Sequence, residues 1–343
     1  MFKNIKTLLL ISLTILNLTG CFEITDQTKV NKDGSLEKTI IFKDDSSAVM
    51  KILAGEEETA LQIPTGENWE TSLQFDKTDS SDLIYSASCL FKNDQALNKV
   101  MQTEGDSLYK IMPRVTLKKH FQWFYTYYHY REIYPYFGYR QYVKIEEYLT
   151  PGQLELYYNG KDSTDIIDNL IEKWMKENVF TYFKIEFSKA LTQLNGLQTS
   201  IEKLDEIEDT LLTVVENVVE LEDLEKSVDE ILNILGKQFG SYPIHDLKAQ
   251  LTDILYELQK RTVSVFSLIG EFQVIVDMPG IILSTNSNII EGNRVKWTFD
   301  HERFSLNDFS MEVESRSLNI WTIYVTFIVL IGMIVLLIFR KKK

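Results

Sequence analysis

The chain has 343 residues, 44% of them hydrophobic and 25% charged, enough for one large or two ordinary domains. Its formal charge of −14 argues against nucleic acid as a partner. Cys21 and Cys89 are its two cysteines, so no disulfide framework can be built.

Lys3 and Lys6 precede an apolar run over residues 7–16, which closes on Leu18-Thr19-Gly20-Cys21. A basic start, about ten apolar residues and a small-residue exit make a bacterial secretory signal, too short to span a bilayer. The closing four residues resemble the bacterial lipobox. By that resemblance residues 1–20 are removed and Cys21 becomes a new N-terminus carrying fatty acid, of the palmitate kind. Plain cleavage fits less well because Leu18 occupies a position that wants a small side chain; an uncleaved anchor is the other alternative. Loss of the signal, together with a terminal cationic tail on the other side of the membrane, leaves the external part at −20. So acidic a surface argues against adhesion to anionic headgroups. Lipidated Cys21 cannot pair with Cys89, which reads as a small buried hydrophobe.

Residues 22–160 carry strand signals. Asp33-Gly34 between two alternating runs over residues 28–39 predicts a β-hairpin. Residues 44–72 are polar and mixed, read as a short helix or loop, and Glu56-Glu57-Glu58 reads as solvated surface. Residues 82–92 return to strand character.

In residues 121–142, FQWFYTYYHYREIYPYFGYRQY, over half of the side chains are aromatic. Alternation puts Phe121, Trp123, Tyr125, Tyr127 and His129 on one face of a strand, with Phe124, Thr126, Tyr128 and Tyr130 on the other. One reading is a central strand between layers. The other is an aromatic platform for an apolar, glycan or lipid ligand, with Trp123, Tyr125, Tyr127 and His129 as candidate binding residues.

Near Asp162 the period changes to three and four. Ser163 or Thr164 can cap a helix with Ile166, Ile167, Leu170, Ile171, Trp174 and Met175 on its apolar side. From Leu194 to Leu235 thirteen apolar positions recur at three or four residues, a coiled-coil-like seam with two stammers. A break over residues 236–243 and a matching stripe to about residue 268 predict an antiparallel helical hairpin. Residues 201–230 hold twelve acidic residues against Lys203 and Lys226. That is either a solvated face or a docking face for a basic partner, another envelope protein.

Strand signals resume after Gly270, with a turn at Met278-Pro279-Gly280 and a hairpin at Glu291-Gly292-Asn293. The helical block is thus inserted between two β-rich parts that could complete one sheet, and residues 312–317 read as a short polar connector. Residues 320–339, IWTIYVTFIVLIGMIVLLIF, contain no charge and no proline and would extend about 30 Å as a helix, the thickness of a bilayer core. Arg340 and three lysines follow and place the C-terminus in the cytoplasm; Trp321 and Tyr324 mark the outer interface.

The expected class is α+β, a β-rich extracytoplasmic domain with an inserted helical hairpin and one C-terminal transmembrane helix. Its boundaries run 1–20, 21–160, 161–270, 271–317, 318–340 and 341–343, and its location is the bacterial inner membrane. The Asp33-Gly34-Ser35 turn, the PG…TN…EGNRVKW segment over residues 279–297, the lipobox and the terminal span together resemble the LppM-type domain of bacterial membrane lipoproteins. That resemblance implies a β-rich envelope domain and no enzyme class. His120, His129, His245 and His301 form no histidine pair at helical spacing, and no nucleotide, zinc, redox or hydrolase motif occurs. The sequence therefore points to a protein without metal or cofactor, a non-enzymatic scaffold or interaction protein, with a lipid- or glycan-binding module as the alternative.

Overall fold

In the computed structural model, the described residues are 22–56, 63–66, 68–77, 81–102, 113–135, 142–158, 166–193, 208–219, 224–239, 247–266, 270–299, 303 and 306–341. The expected signal over residues 1–20, Cys21 and residues 136–141 lie outside them. The fold is α+β, and the described residues divide into two compact units.

The first unit is β-rich and is assembled from Cys21–Pro135, Gly270–Asp300 and Asp308–Lys343. It begins with the expected hairpin, strands β1 (Phe22–Val30) and β2 (Leu36–Asp45). Gly34 takes φ +99 in the turn, and Asp33 Oδ1 accepts from the Ser35 amide and hydroxyl, an Asx-type closure. Helix α1 (Ser46–Leu53), strands β3 (Glu70–Phe75) and β4 (Asp82–Phe91), and helix α2 (Asp94–Gln102) follow. Strands β5 (Arg114–Phe121) and β6 (Tyr125–Tyr134) complete the N-terminal part.

After the helical residues come β7 (Gly270–Asp277), β8 (Ile281–Thr285), β9 (Ile289–Glu291), β10 (Arg294–Phe299) and β11 (Phe309–Leu318). One sheet of seven strands has the order β3-β4-β2-β1-β7-β10-β9, and a second of four has the order β5-β6-β11-β8. The β1–β7 pair is parallel, so the strand after the helical insertion closes directly onto the first strand of the chain. The strands of the two β-rich stretches therefore divide between two sheets instead of completing one.

Two expectations are corrected. Residues 121–142 are not one strand: β5 ends at Phe121, Trp123-Phe124 form a tight turn closed by hydrogen bonds between Gln122 and Tyr125, and β6 returns antiparallel. Residues 312–317 are not a connector. They lie within β11, a central strand whose inward positions Met311, Val313, Ser315 and Ser317 are buried. Two of the four inward side chains are serines, which removes the apolar alternation that would have marked the strand.

The two sheets pack face to face through the alternating inner positions of their strands. Ile24, Leu36, Ile40, Phe42, Val274, Val276, Val295 and Phe299 come from the larger sheet, and Val115, Tyr128, Tyr130, Tyr134, Met311 and Val313 from the smaller. The passage from β7 in the larger sheet to β8 in the smaller runs through Pro279-Gly280, where Gly280 takes φ +87. A Cβ there would lie 2.1 Å from the Arg316 carbonyl oxygen, so the β11 backbone admits glycine alone.

The second unit holds the described residues of 136–269 and 301–307. It contains helices α3 (Pro151–Tyr158), α4 (Ile166–Gln193), α5 (Glu208–Val219), α6 (Leu224–Phe239) and α7 (Lys248–Phe266). Its larger core joins Val179, Phe183 and Phe187 of α4 to Leu211, Val214 and Val215 of α5, Val228, Ile231 and Leu235 of α6, and Leu251, Leu255 and Leu258 of α7. The described part of the expected seam is thus two helices, α5 and α6, packed on each other and on α4 and α7. Its apolar stripe is consumed inside this four-helix body. Seam positions from Leu194 to Ile207, and Leu221, lie outside the described residues. A smaller core gathers Ile145, Leu149, Leu154, Ile167, Ile171, Trp174 and Leu306.

Helix α8 (Ile320–Lys341) follows β11 after the single residue Asn319. Within Ile320–Arg340 an 18-residue window reaches a mean hydropathy of 2.8, and the helix is long and apolar enough to cross a membrane.

Candidate functional site: the two faces of the aromatic strand

Strand β6 alternates strictly. Tyr125, Tyr127, His129 and Arg131 face out, and Thr126, Tyr128, Tyr130, Glu132 and Tyr134 face the opposing sheet. The expectation for the two faces holds from Tyr125 onward and fails at Phe121 and Trp123, because the turn intervenes.

The outer row is half-exposed and paired across the neighbouring strands. The Arg316 guanidinium lies 4.8 Å from the Tyr125 ring centroid, a cation–π contact. His129 Nδ1 is 3.1 Å from Glu314 Oε1, and Arg131 Nε is 3.0 Å from Glu312 Oε1. Tyr127 stands opposite Arg316 on one side and His120 on the other. His129, Ser284, Thr285, Asn286, Glu312, Val313 and Glu314 line an open hollow of about 250 Å³. Of the four candidate binding residues, His129 alone reaches that hollow. Trp123 sits apart in the turn, where its Nε1–H donates to Thr326 Oγ1 of α8 at 2.9 Å. The outer face is therefore a mixed row of rings and charges, suited to a polar, amphipathic surface contact and not to enclosing a ligand.

The inner row meets a cluster that sequence reading missed. Lys38 of β2 is sealed between the sheets, with its Nζ 2.5 Å from Asp26 Oδ1 and 2.7 Å from Glu132 Oε1. It also donates to Thr28 Oγ1 at 3.0 Å. Tyr130 Oη–H donates to Glu132 Oε2 and Tyr134 Oη–H to Asp26 Oδ2, each at 2.6 Å. Side chains of Lys38, Asp26 and Glu132 are 0–2% exposed. The Asp26 Oδ1 contact is an ion pair without good hydrogen-bond direction, since that oxygen has no well-angled donor.

Burial alone would pull the Lys38 ammonium down, but the carboxylates of Asp26 and Glu132 outweigh it and hold its pKa above the ordinary value. Burial pushes Glu132 up against the opposing pull of Lys38. Burial, reinforced by the neighbouring carboxylates, also lifts the phenols of Tyr130 and Tyr134 well above their usual range. Two carboxylates thus converge on one ammonium, but with no exposed atom to offer a substrate. The arrangement bridges the sheets, joining Asp26 and Lys38 of the larger to Glu132 of the smaller. Its sequence signal was a polar residue at an inward strand position: Asp26, Lys38 and Glu132 each break an otherwise apolar alternation.

Cys89 is half-buried on β4. Burial, with Glu70 nearby, pushes its thiol pKa up, the condition of an unreactive cysteine. Among the described residues no group of three His, Cys, Asp or Glu side chains is placed to hold a metal.

Fold and site together define a class: an α+β protein with a two-sheet β base, a helical insertion and a terminal apolar helix long enough to cross a bilayer. Among solved structures the chain is similar to the NMR structure of the folded domain of LppM from Mycobacterium tuberculosis. The TM-score is 0.29 at 10% identity, covering 89% of this chain and 94% of that one. The likeness is weak and carries no conclusion about family, ligand or activity. No family model matches the chain, and no curated protein matches it.

Proposed function

We propose that this is a non-enzymatic, membrane-anchored envelope protein whose β base is held at the membrane by α8 and whose acidic helical body contacts another membrane protein. One observation carries the reading: α8 leaves β11 after a single residue, and Asn319 ties that junction to the base. Its amide donates to Phe124 O at 2.8 Å, its Nδ2 donates to Gln122 O at 2.9 Å, and its Oδ1 accepts from Thr126 Oγ1 at 2.9 Å. A flexible tether would let the domain drift; this junction sets its orientation. With α8 as a span, the cationic tail is cytoplasmic and the base and helical body are extracytoplasmic. The lipobox adds a second tether at Cys21. Exposed acids on the helical body, including Glu225, Glu230 and Asp253, supply the charge for a basic partner surface.

Co-purification from detergent-solubilised membranes tests this. The full chain should retain a membrane partner that the variant Glu225→Gln/Glu230→Gln/Asp253→Asn loses while keeping its helical circular dichroism. Equal recovery with both proteins would refute the docking role. A second reading is favoured by the half-exposed row Tyr125, Tyr127 and His129: a lipid- or glycan-binding surface on the smaller sheet. Native mass spectrometry of the detergent-extracted chain should then find a retained amphiphile that Tyr127→Ala releases.

A further inference from the structure

The turn between β5 and β6 carries three large apolar side chains that neither sheet buries: Phe121 is 50% exposed, Trp123 47% and Phe124 43%. We infer that this tip is an interfacial lipid-binding element, seated at the headgroup-to-acyl boundary of the bilayer that α8 crosses. The inference rests on α8 being a membrane span.

Position is the first argument. The Trp123 indole donates to Thr326, six residues into α8, about 9 Å along the helix axis from Ile320. Phe121 stacks on Trp321 at 6.0 Å, and Trp123 meets the same ring edge-on at 5.8 Å. Trp321 and Tyr324 keep exposed faces of their own. Five aromatic rings therefore ring the first two turns of the span, where amphipathic rings favour the interface.

Backbone polarity is the second. A turn can enter a region poor in water only if its carbonyls are satisfied from within. Gln122 O receives the Tyr125 amide and Asn319 Nδ2, Trp123 O receives Asn319 Nδ2 at 3.4 Å, and Phe124 O receives the Asn319 amide. One asparagine at the mouth of the span thus serves all three carbonyls of the tip.

Charge is the third. Although the chain is acidic as a whole, the exposed residues just before Phe121 are Lys118, Lys119 and His120, and Arg316 lies over Tyr125. Cations on long stems directly behind an aromatic tip match the depth order of phosphates above acyl chains. The local sign opposes the reading that overall acidity keeps the domain off headgroups.

Bromolipid quenching of the full chain tests this. In the Trp321→Phe protein, Trp69, Trp174 and Trp297 are buried in protein, so Trp123 is left as the tryptophan at the interface. In phosphatidylcholine vesicles, bromines at the headgroup end of the acyl chain should quench one emission component more than bromines near the chain end. Adding Trp123→Phe should abolish that component, and Phe124→Trp in the same background should restore it. Unchanged far-ultraviolet dichroism and an unchanged denaturation midpoint confirm folding. Equal quenching with and without Trp123, or none, overturns the inference, as does quenching of Trp123 by aqueous acrylamide. A tip that instead cross-links copy to copy through Phe124→Cys, with Trp123 unquenched, also overturns it. Resistance to carbonate extraction reads the span separately, so an inserted chain with unquenched Trp123 defeats this inference alone.

Discussion

Replacing Lys38 by Met removes one ammonium from between two carboxylates while nearly preserving side-chain length. The methionine cannot donate to Asp26, Glu132 or Thr28, all of which Lys38 contacts within 3.0 Å. Each carboxylate retains a tyrosine hydroxyl, but the two negative charges are then uncompensated in a space at most 2% exposed. Breaking a buried ionic group in this way costs about 3–5 kcal/mol. For a unit of this size that lowers the melting temperature by roughly 6–20 °C. Denaturant titration of the full chain in detergent, followed by near-ultraviolet dichroism, measures the cost.

The pH dependence gives a sharper test. Loss of Lys38 removes the group that pulls the Glu132 pKa down, so Glu132 rises further above its unfolded value. An acid with a raised folded pKa contributes stability that is present below the unfolded pKa and lost as pH rises through the folded one. The deficit of Lys38→Met should therefore be smaller at pH 5 than at pH 8. The triple variant Asp26→Asn/Lys38→Met/Glu132→Gln should recover to within about 2 kcal/mol of the parent, because no buried charge is left. A loss below about 1 kcal/mol, or a deficit that grows on acidification, would refute the account of the cluster.

In the parent protein Lys38, Tyr130 and Tyr134 all have raised pKa values, so their contribution is full below their unfolded values near 10 and falls as pH climbs through the folded ones; thermal melts from pH 8 to 11 should show stability declining from about pH 10. Gly280→Ala should cost roughly 3–5 kcal/mol, combining positive-φ strain with collision against the Arg316 carbonyl, and Gly292→Ala should cost less since nothing lies within 4 Å there; denaturation midpoints compare the two. Asn319→Ala should destabilise the β5–β6 turn by about 1–3 kcal/mol through loss of its side-chain hydrogen bonds, read as faster exchange of the Tyr125 amide.

What the sequence discloses depends on how locally each element is written. The β1–β2 hairpin is legible because Asp33-Gly34 encodes its own turn. The terminal apolar helix is legible from composition alone. The β5–β6 turn is not, because Gln122, Trp123 and Phe124 contain none of the usual turn formers and Asn319, almost two hundred residues away, supplies the bonds that hold it. Strand β11 is concealed by its inward serines. The seam residues of α5 and α6 are correctly periodic, yet periodicity reports only that a face is buried and not which helices bury it. The outer candidates Tyr125, Tyr127 and His129 follow from alternation, whereas Lys38 and Glu132 meet across 94 residues and only the sandwich brings them together.

The parallel seam between β1 and β7 has a consequence for biogenesis. Gln27 on the first strand bonds Asp277 at a separation of 250 residues, with the whole helical body synthesised between them. Contacts so distant form late and slowly. The larger sheet must wait with β1 unmated on the β7 side until about the last fifth of the polypeptide emerges, an open edge that invites wrong partners. The helical unit, built from local contacts, is able to mature first and shorten the gap. Any truncation before residue 270 should thus leave a sticky half-sheet that no folding time repairs.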